Sequence, residues 1–172
     1  MAEAKSKPRI YIFDASVLLR LNRINETDFE IPQAIWDKFS ELLDSGEIIS
    51  QRYVYEEVVS NSDSPDKVSA WFKPYKSCCP IETADQVLFN SEIIKKFPGL
   101  IDPKREKEQA DPWLIALARD LSSKDSEHEY VIVTQESKRS STKIPAAANT
   151  YDIGTLTLRE FLDEKKISLT VI

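Results

Sequence analysis

The chain has 172 residues, 41% of them hydrophobic, which is enough to bury one sizeable core and too few for two complete domains, so residues 1–172 read as one domain. A net charge of −6 and a pI near 5.0 exclude the extended basic surface that clustered Lys and Arg present to phosphates, while leaving room for local basic patches. Residues 1–8 form a polar tail and no apolar run approaches the roughly 20 residues that span a bilayer, which argues against a signal peptide and a transmembrane helix and makes the cytoplasm the default location.

Arg9 to Phe13 is a short apolar, β-rich run, and Asp14-Ala15-Ser16 then opens a helical stretch with Val17, Leu18, Leu19 and Leu21, which makes a strand-to-helix turn. A polar loop over residues 25–30 leads to Pro32. After it, Ile35, Trp36, Phe39, Leu42 and Leu43 recur at helical spacing until Gly46 stops the helix. Residues 47–50 read as the second strand. The next helix carries Tyr53, Val54, Glu57 and Val58; Glu57 follows Val54 by three residues and Tyr53 by four, so it borders the packed face while Glu56 points elsewhere.

Ser64-Pro65 predicts a helix start, with Val68, Trp71 and Phe72 on the buried side. Thr83-Ala84-Asp85-Gln86 has capping-box spacing ahead of Val87, Leu88, Ile93, Ile94 and Phe97. Residues 98–109 are polar and loop-like, and Asp111-Pro112 begins another helix. Residues 130–134 form the clearest interior strand, because their apolar run is continuous. A strand at residues 155–156 precedes a second capping box, Thr157 to Glu160, and a final short helix; residues 165–172 make a C-terminal tail or an additional edge strand. Strands alternating with helices predict a three-layer α/β domain with a mostly parallel central sheet covered by helices. Trp36, Phe39, Trp71 and Phe72 sit at helical spacing and are assigned to the core rather than to an interface.

Four acids stand where a short strand ends or a helix begins: Asp14, Glu57, Asp111 and Glu136. In an α/β sheet such positions gather at one edge. Like charges held close together repel unless a cation neutralises them, so a convergent set points to a divalent metal and to metal-dependent hydrolysis. Taken singly, each has a plain structural use: Asp14 and Asp111 suit helix N-caps, and Glu57 and Glu136 suit a solvated surface. The three glycines, Gly46, Gly99 and Gly154, build no dinucleotide or triphosphate loop. A lone His128 supports no Ser-His-Asp triad, and adjacent Cys78 and Cys79 match no zinc spacing. Two basic stretches flank two of the acids, Lys104, Arg105 and Lys107 before Asp111, and Lys138, Arg139 and Lys143 after Glu136.

In this order the acidic motifs resemble those of the PIN-domain nucleases. Ile12-Phe13-Asp14-Ala15-Ser16 is similar to the first motif, a strand ending in Asp followed one residue later by a small polar residue. Tyr55-Glu56-Glu57-Val58 resembles the second, on a helix after the second strand, and Ala110 to Ala118 resembles the third, an Asp ahead of an alanine-rich apolar helix. Val131-Ile132-Val133-Thr134-Gln135-Glu136 looks like the fourth, a buried strand ending in Thr, any residue, then an acid; the family more often has Asp where Glu136 stands. Asp111-Pro112-Trp113 with the later Lys143-Ile144-Pro145 looks closer still to a small PIN-like branch described only as a domain of unknown function.

The resemblance covers residues 9–163 and implies a PIN-like fold and a phosphodiesterase dependent on Mg²⁺ or Mn²⁺, a ribonuclease of the toxin-antitoxin type acting on single-stranded RNA. It makes Asp14, Glu57, Asp111 and Glu136 the catalytic and metal residues, and Ser16, Thr134, Lys138, Arg139 and Lys143 the substrate-binding ones. An antitoxin protein and a homodimer are the partners it admits besides RNA. Two other readings stand beside it. One is a degenerate, non-catalytic PIN-like module that binds RNA or protein. The other is a phosphatase of the haloacid-dehalogenase type with Asp14 as nucleophile, which wants a second acid two residues on, where this chain has Ser16.

Overall fold

The computed structural model describes residues 5–60 and 66–170. Four strands, β1 (Arg9–Phe13), β2 (Ile48–Ile49), β3 (Glu129–Val133) and β4 (Thr155–Leu156), make an all-parallel sheet in the order β2-β1-β3-β4. Strands β1 and β3 lie at its centre and pair along their whole length, from Arg9 opposite Glu129 to Phe13 opposite Val133. Eight α-helices among the described residues flank the sheet: α1 (Ala15–Arg23), α2 (Gln33–Asp44), α3 (Arg52–Tyr55), α4 (Lys67–Phe72), α5 (Ala84–Lys96), α6 (Ala110–Lys124), α7 (Ile144–Thr150) and α8 (Leu158–Lys165). This is the three-layer α/β arrangement expected from the sequence, with each expected strand within a residue of its place.

Successive side chains of a strand point to opposite faces, so Tyr11 and Phe13 share one face of β1 and Ile12 takes the other. The Phe161 ring of α8 meets Tyr11 and Phe13 edge-on, at centroid distances of 4.9 and 5.0 Å, and stacks on Phe39 of α2 at 6.1 Å. Ile12 is fully buried on the opposite side. Both faces of the central strand are thus covered, which a parallel sheet requires. Trp36, Phe39 and Phe72 are buried and Trp71 is half-buried, so these aromatic residues belong to the core and its border.

Several local details depart from expectation. Of the loop expected over residues 25–30, residues 25–28 are helical and only 29–30 are not: α1 runs on into a wide π-helical turn, Ile24–Asp28, which buried Ile24 keeps on the core. A second π-helical turn, Glu56–Ser60, follows α3. The expected Ser64-Pro65 helix start lies outside the described residues; α4 itself is capped by Asp66, which accepts a 2.7 Å hydrogen bond from the Ser69 N–H. The Thr83 hydroxyl caps α5, but the Gln86 side chain turns to Asp120 at 2.8 Å instead of closing the box. The Thr157–Glu160 box is complete. Residues 167–170 form no strand: Lys166 adopts the left-handed conformation (φ 54) and the Ile167 N–H bonds back to Leu162, which ends α8. Residues 171–172 lie outside the described residues. Helix α7 was not foreseen.

Candidate active site

Four separate segments bring carboxylates to one cavity of about 350 Å³ at the carboxyl edge of the sheet. Asp14 follows β1, Glu57 sits in the π-helical turn after α3, Asp111 is the second residue of α6, and Glu136 follows β3. Central parallel strands of equal register end together, so the residues after β1 and β3 are neighbours by construction.

Asp14 is held from several directions. Its N–H donates to the Val133 carbonyl at 3.0 Å, and the buried Ser50 hydroxyl donates to the preceding Phe13 carbonyl at 2.6 Å. Its Oδ2 accepts from the Ser16 hydroxyl at 2.6 Å and from the Thr134 hydroxyl at 2.9 Å. Although Asp14 occupies the N-cap position of α1, its side chain makes no capping bond to that helix, so the capping use is not realised. Burial raises its pKa, against the opposing pull of the two hydroxyls and of the nearby Ala15 and Ser16 N–H groups.

Asp111, unlike Asp14, is not at an N-cap position; that position belongs to Gln109, and Asp111 lies inside the first turn of α6. Its carboxyl is pushed up to about 8, first by burial, then by repulsion from Asp14, Glu136 and Glu57, with Lys143 opposing. Burial also raises Glu57, helped by Asp14 and opposed by Arg105. Glu136 is raised by burial and by Asp14, against the Ile144 N–H that donates to its Oε2 at 2.8 Å, against Lys143, and against a hydrogen bond from Asp111. Because both carboxyls are raised, Asp111 to about 8, the pair shares a proton at neutral pH. The π-helical turn sorts the two adjacent glutamates: Glu57 lines the cavity, whereas exposed Glu56 pairs with Arg52 at 3.8 Å.

The remaining sequence candidates divide. Ser16 and Lys143 line the cavity, and the Lys143 Nζ is 3.9 Å from Glu136. Thr134 is buried and gives its hydroxyl to Asp14, so it sets that carboxylate rather than facing the open cavity. Lys138 is paired with Glu160 at 2.8 Å, and neither it nor exposed Arg139 lines the cavity. The opposite wall, formed by Leu100, Ile101, Asp102, Arg105 and Gln109, was missed as a wall, although Arg105 belongs to a basic stretch visible in the sequence.

The donors suit Mg²⁺ or Mn²⁺ rather than a softer ion: all four are hard carboxylate oxygens, with no His or Cys in the wall. No three Asp, Glu, His or Cys side chains among the described residues are already placed to hold an ion. The fit is therefore that of a hydrated cation such as Mg²⁺, which takes one or two carboxylates directly and keeps several waters.

Fold and site together define an α/β domain with a buried four-carboxylate cavity at the carboxyl edge of a parallel sheet. The chain belongs to the family described as Domain of unknown function (DUF4411), whose profile matches residues 11–169 and so includes all four acids. Among curated proteins, none matches it. No helix among the described residues is long and apolar enough to cross a membrane.

Proposed function

We propose that the protein is a Mg²⁺- or Mn²⁺-dependent phosphodiesterase, a ribonuclease of the toxin-antitoxin type that cuts single-stranded RNA. One observation carries the reading: carboxylates from four segments, the outermost 122 positions apart (Asp14 to Glu136), share one cavity in which burial raises every one of their pKa values and repulsion adds to the rise of Glu57, Asp111 and Glu136. Folding alone gains nothing from such a set, and a divalent cation would remove its cost. The resemblance of the four acidic motifs to those of PIN nucleases supports the same chemistry.

Asp14, Glu57 and Asp111 would hold the ion, with Glu136 completing the set. When bound, the ion supplies positive charge to phosphate oxygens and makes a water more acidic. Ser16 and Thr134 fix the Asp14 carboxylate through their two hydroxyl bonds, so this ligand is positioned before substrate arrives. Glu136 is steadied by the Ile144 N–H, and Lys143 faces both Glu136 and an incoming phosphate. The test is cleavage of defined single-stranded RNA with Mg²⁺ or Mn²⁺, by the wild type and by Asp14→Asn, which keeps size but removes the charge. Cleavage that chelator and Asp14→Asn both abolish is the expected result; equal cleavage in excess chelator, or by the variant, overturns the mechanism. A second reading, binding of RNA or protein without cleavage, draws on the lack of three acids already set for an ion among the described residues. Metal binding with no cleavage of any nucleic acid selects it.

A further inference from the structure

We propose that Arg105 is the substrate-gripping residue of this cavity and that Gln109 is the residue that positions it, an inference that rests on the phosphodiester substrate proposed above. Five carboxyl groups (Asp14, Glu57, Asp102, Asp111, Glu136) and two cations (Arg105, Lys143) line the cavity, and with all five ionised, the state that a bound cation would favour, three net negative charges remain there. One divalent ion still leaves one. A phosphodiester is itself anionic, so its entry depends on the two cations.

Those cations stand on different walls and are not equally available. Lys143, beside α7, is already drawn towards Glu136 at 3.9 Å. Arg105 lines the cavity from the 101–109 segment, is attracted to Glu57, and its guanidinium takes no hydrogen-bond or ion-pair partner among the described residues. A guanidinium carries five donors in a planar fork that fits two phosphate oxygens at once. An exposed arginine normally loses much freedom on gripping a ligand, but this one stands on a closed loop. The Gln109 side chain clips both polar groups of the Asp102 backbone, accepting from its N–H at 2.9 Å and donating to its carbonyl at 2.8 Å. Inside the clip the Arg105 N–H turns back to the Asp102 carbonyl at 3.1 Å and the Lys104 N–H to the Asp102 carboxylate at 3.0 Å. Just before Gln109, Glu108 accepts from the Trp113 indole at 2.7 Å, which ties the loop to α6, the helix that carries Asp111. The arm and Asp111 thus stand on one hydrogen-bonded support.

The test uses the whole chain and a fluorescein-labelled oligouridine, with binding followed by anisotropy in Ca²⁺ across a salt series and cleavage followed in Mn²⁺. Arg105→Gln is expected to weaken binding about tenfold or more, the scale of one charge-assisted hydrogen bond. It should also flatten the dependence of log Kd on log salt by about 0.7, one phosphate contact on a single strand. In cleavage KM rises while kcat stays within about twofold, the signature of lost binding rather than lost chemistry. Arg105→Lys restores the salt slope but only part of the affinity. Gln109→Ala shows the same pattern in weaker form, and the double variant is no worse than Arg105→Gln alone, because Gln109 acts through Arg105. Wild-type affinity and slope in Arg105→Gln, a fall in kcat with KM unchanged, additive effects of the two substitutions, or no binding of oligouridine by the wild type each overturn the proposal. If the wild type binds with this arginine dependence but cuts nothing, the phosphate arm stands and the nuclease reading falls; cleavage that ignores Arg105 gives the reverse.

Discussion

Asp111→Asn removes a carboxyl whose ionised form the fold holds at a cost, and its effect should depend on pH in a definite direction. The carboxyl rises from its ordinary 3.8 to about 8 in the folded chain. Each tenfold change in proton affinity along that rise is equivalent to about 1.4 kcal/mol. Because the folded pKa is the higher one, the folded chain binds this proton more tightly than the unfolded chain does. The resulting stability is fully present below about pH 4 and is lost as pH rises through 8. Between about pH 5 and pH 7 the wild type should lose roughly 3 kcal/mol from this group, and about 2 kcal/mol once the repulsion is shared among four coupled acids. At about 2–4 °C per kcal/mol for a chain of this size, Tm falls by about 4–8 °C over that interval. Asn has no proton to lose, so the variant should melt higher than the wild type at neutral pH, with the gap narrowing towards pH 5. Scanning calorimetry of both proteins across that range reads the gap, and millimolar Mn²⁺ at neutral pH should raise the wild-type Tm more than the variant's. Parallel Tm curves for the two proteins, or a gap that widens on acidification, would refute the placement of Asp111 in a buried acidic cluster.

Thr134→Val removes the 2.9 Å donor to Asp14 and leaves its buried carboxylate with one hydroxyl instead of two. The Asp14 pKa should rise further, and Mn²⁺ affinity near pH 6, measured by titration calorimetry, should fall about tenfold, the scale of one hydrogen bond to a charged group; unchanged affinity would show that Thr134 does not tune this ligand. Gly99 lies where the 98–109 segment meets the segment before α7, and a methyl added there would stand 3.1 Å from Thr142 Cβ and 3.2 Å from its Cγ2. Gly99→Ala should therefore cost about 1 kcal/mol in urea unfolding and weaken RNA binding by displacing neighbouring Lys143. A variant as stable as the wild type would mean that the two walls separate freely.

The parts of this fold that were legible in the sequence are those in which one short segment carries its own signal. Ile10 to Phe13 and Tyr130 to Val133 are continuous apolar runs because both faces of β1 and β3 are covered, and Thr157 to Glu160 is a cap whose two bonds close within four residues. Helix α7 is a different case. It has seven residues, three of them alanine in a row, and depends on packing against α6 and β4 more than on any periodicity of its own. The polar run from Asn25 to Asp28 reads as a loop, yet it stays helical because Ile24 and Ile31 on either side are buried. Asp111-Pro112 has the chemistry of a cap, but Gln109 takes the cap position and Ala110 is already helical, which leaves the acid two positions inside the cap, where it faces the cavity. Lys138 and Arg105 look alike as members of short basic runs. Only the fold reveals that Glu160 occupies the first while the second stands over the acids.

The pairing of β1 with β3 and the seating of Phe161 on β1 also set an order of events during synthesis. The Asp14 carboxylate waits for a hydroxyl 120 positions later, and the Tyr11 and Phe13 rings wait for Phe161, while the Tyr11 hydroxyl finds Glu164 only 153 positions on. Contacts this distant in sequence form slowly and late. A growing chain therefore has Ser16 alone to steady the Asp14 carboxylate, and gains the second hydroxyl only once β3 and Thr134 have been made.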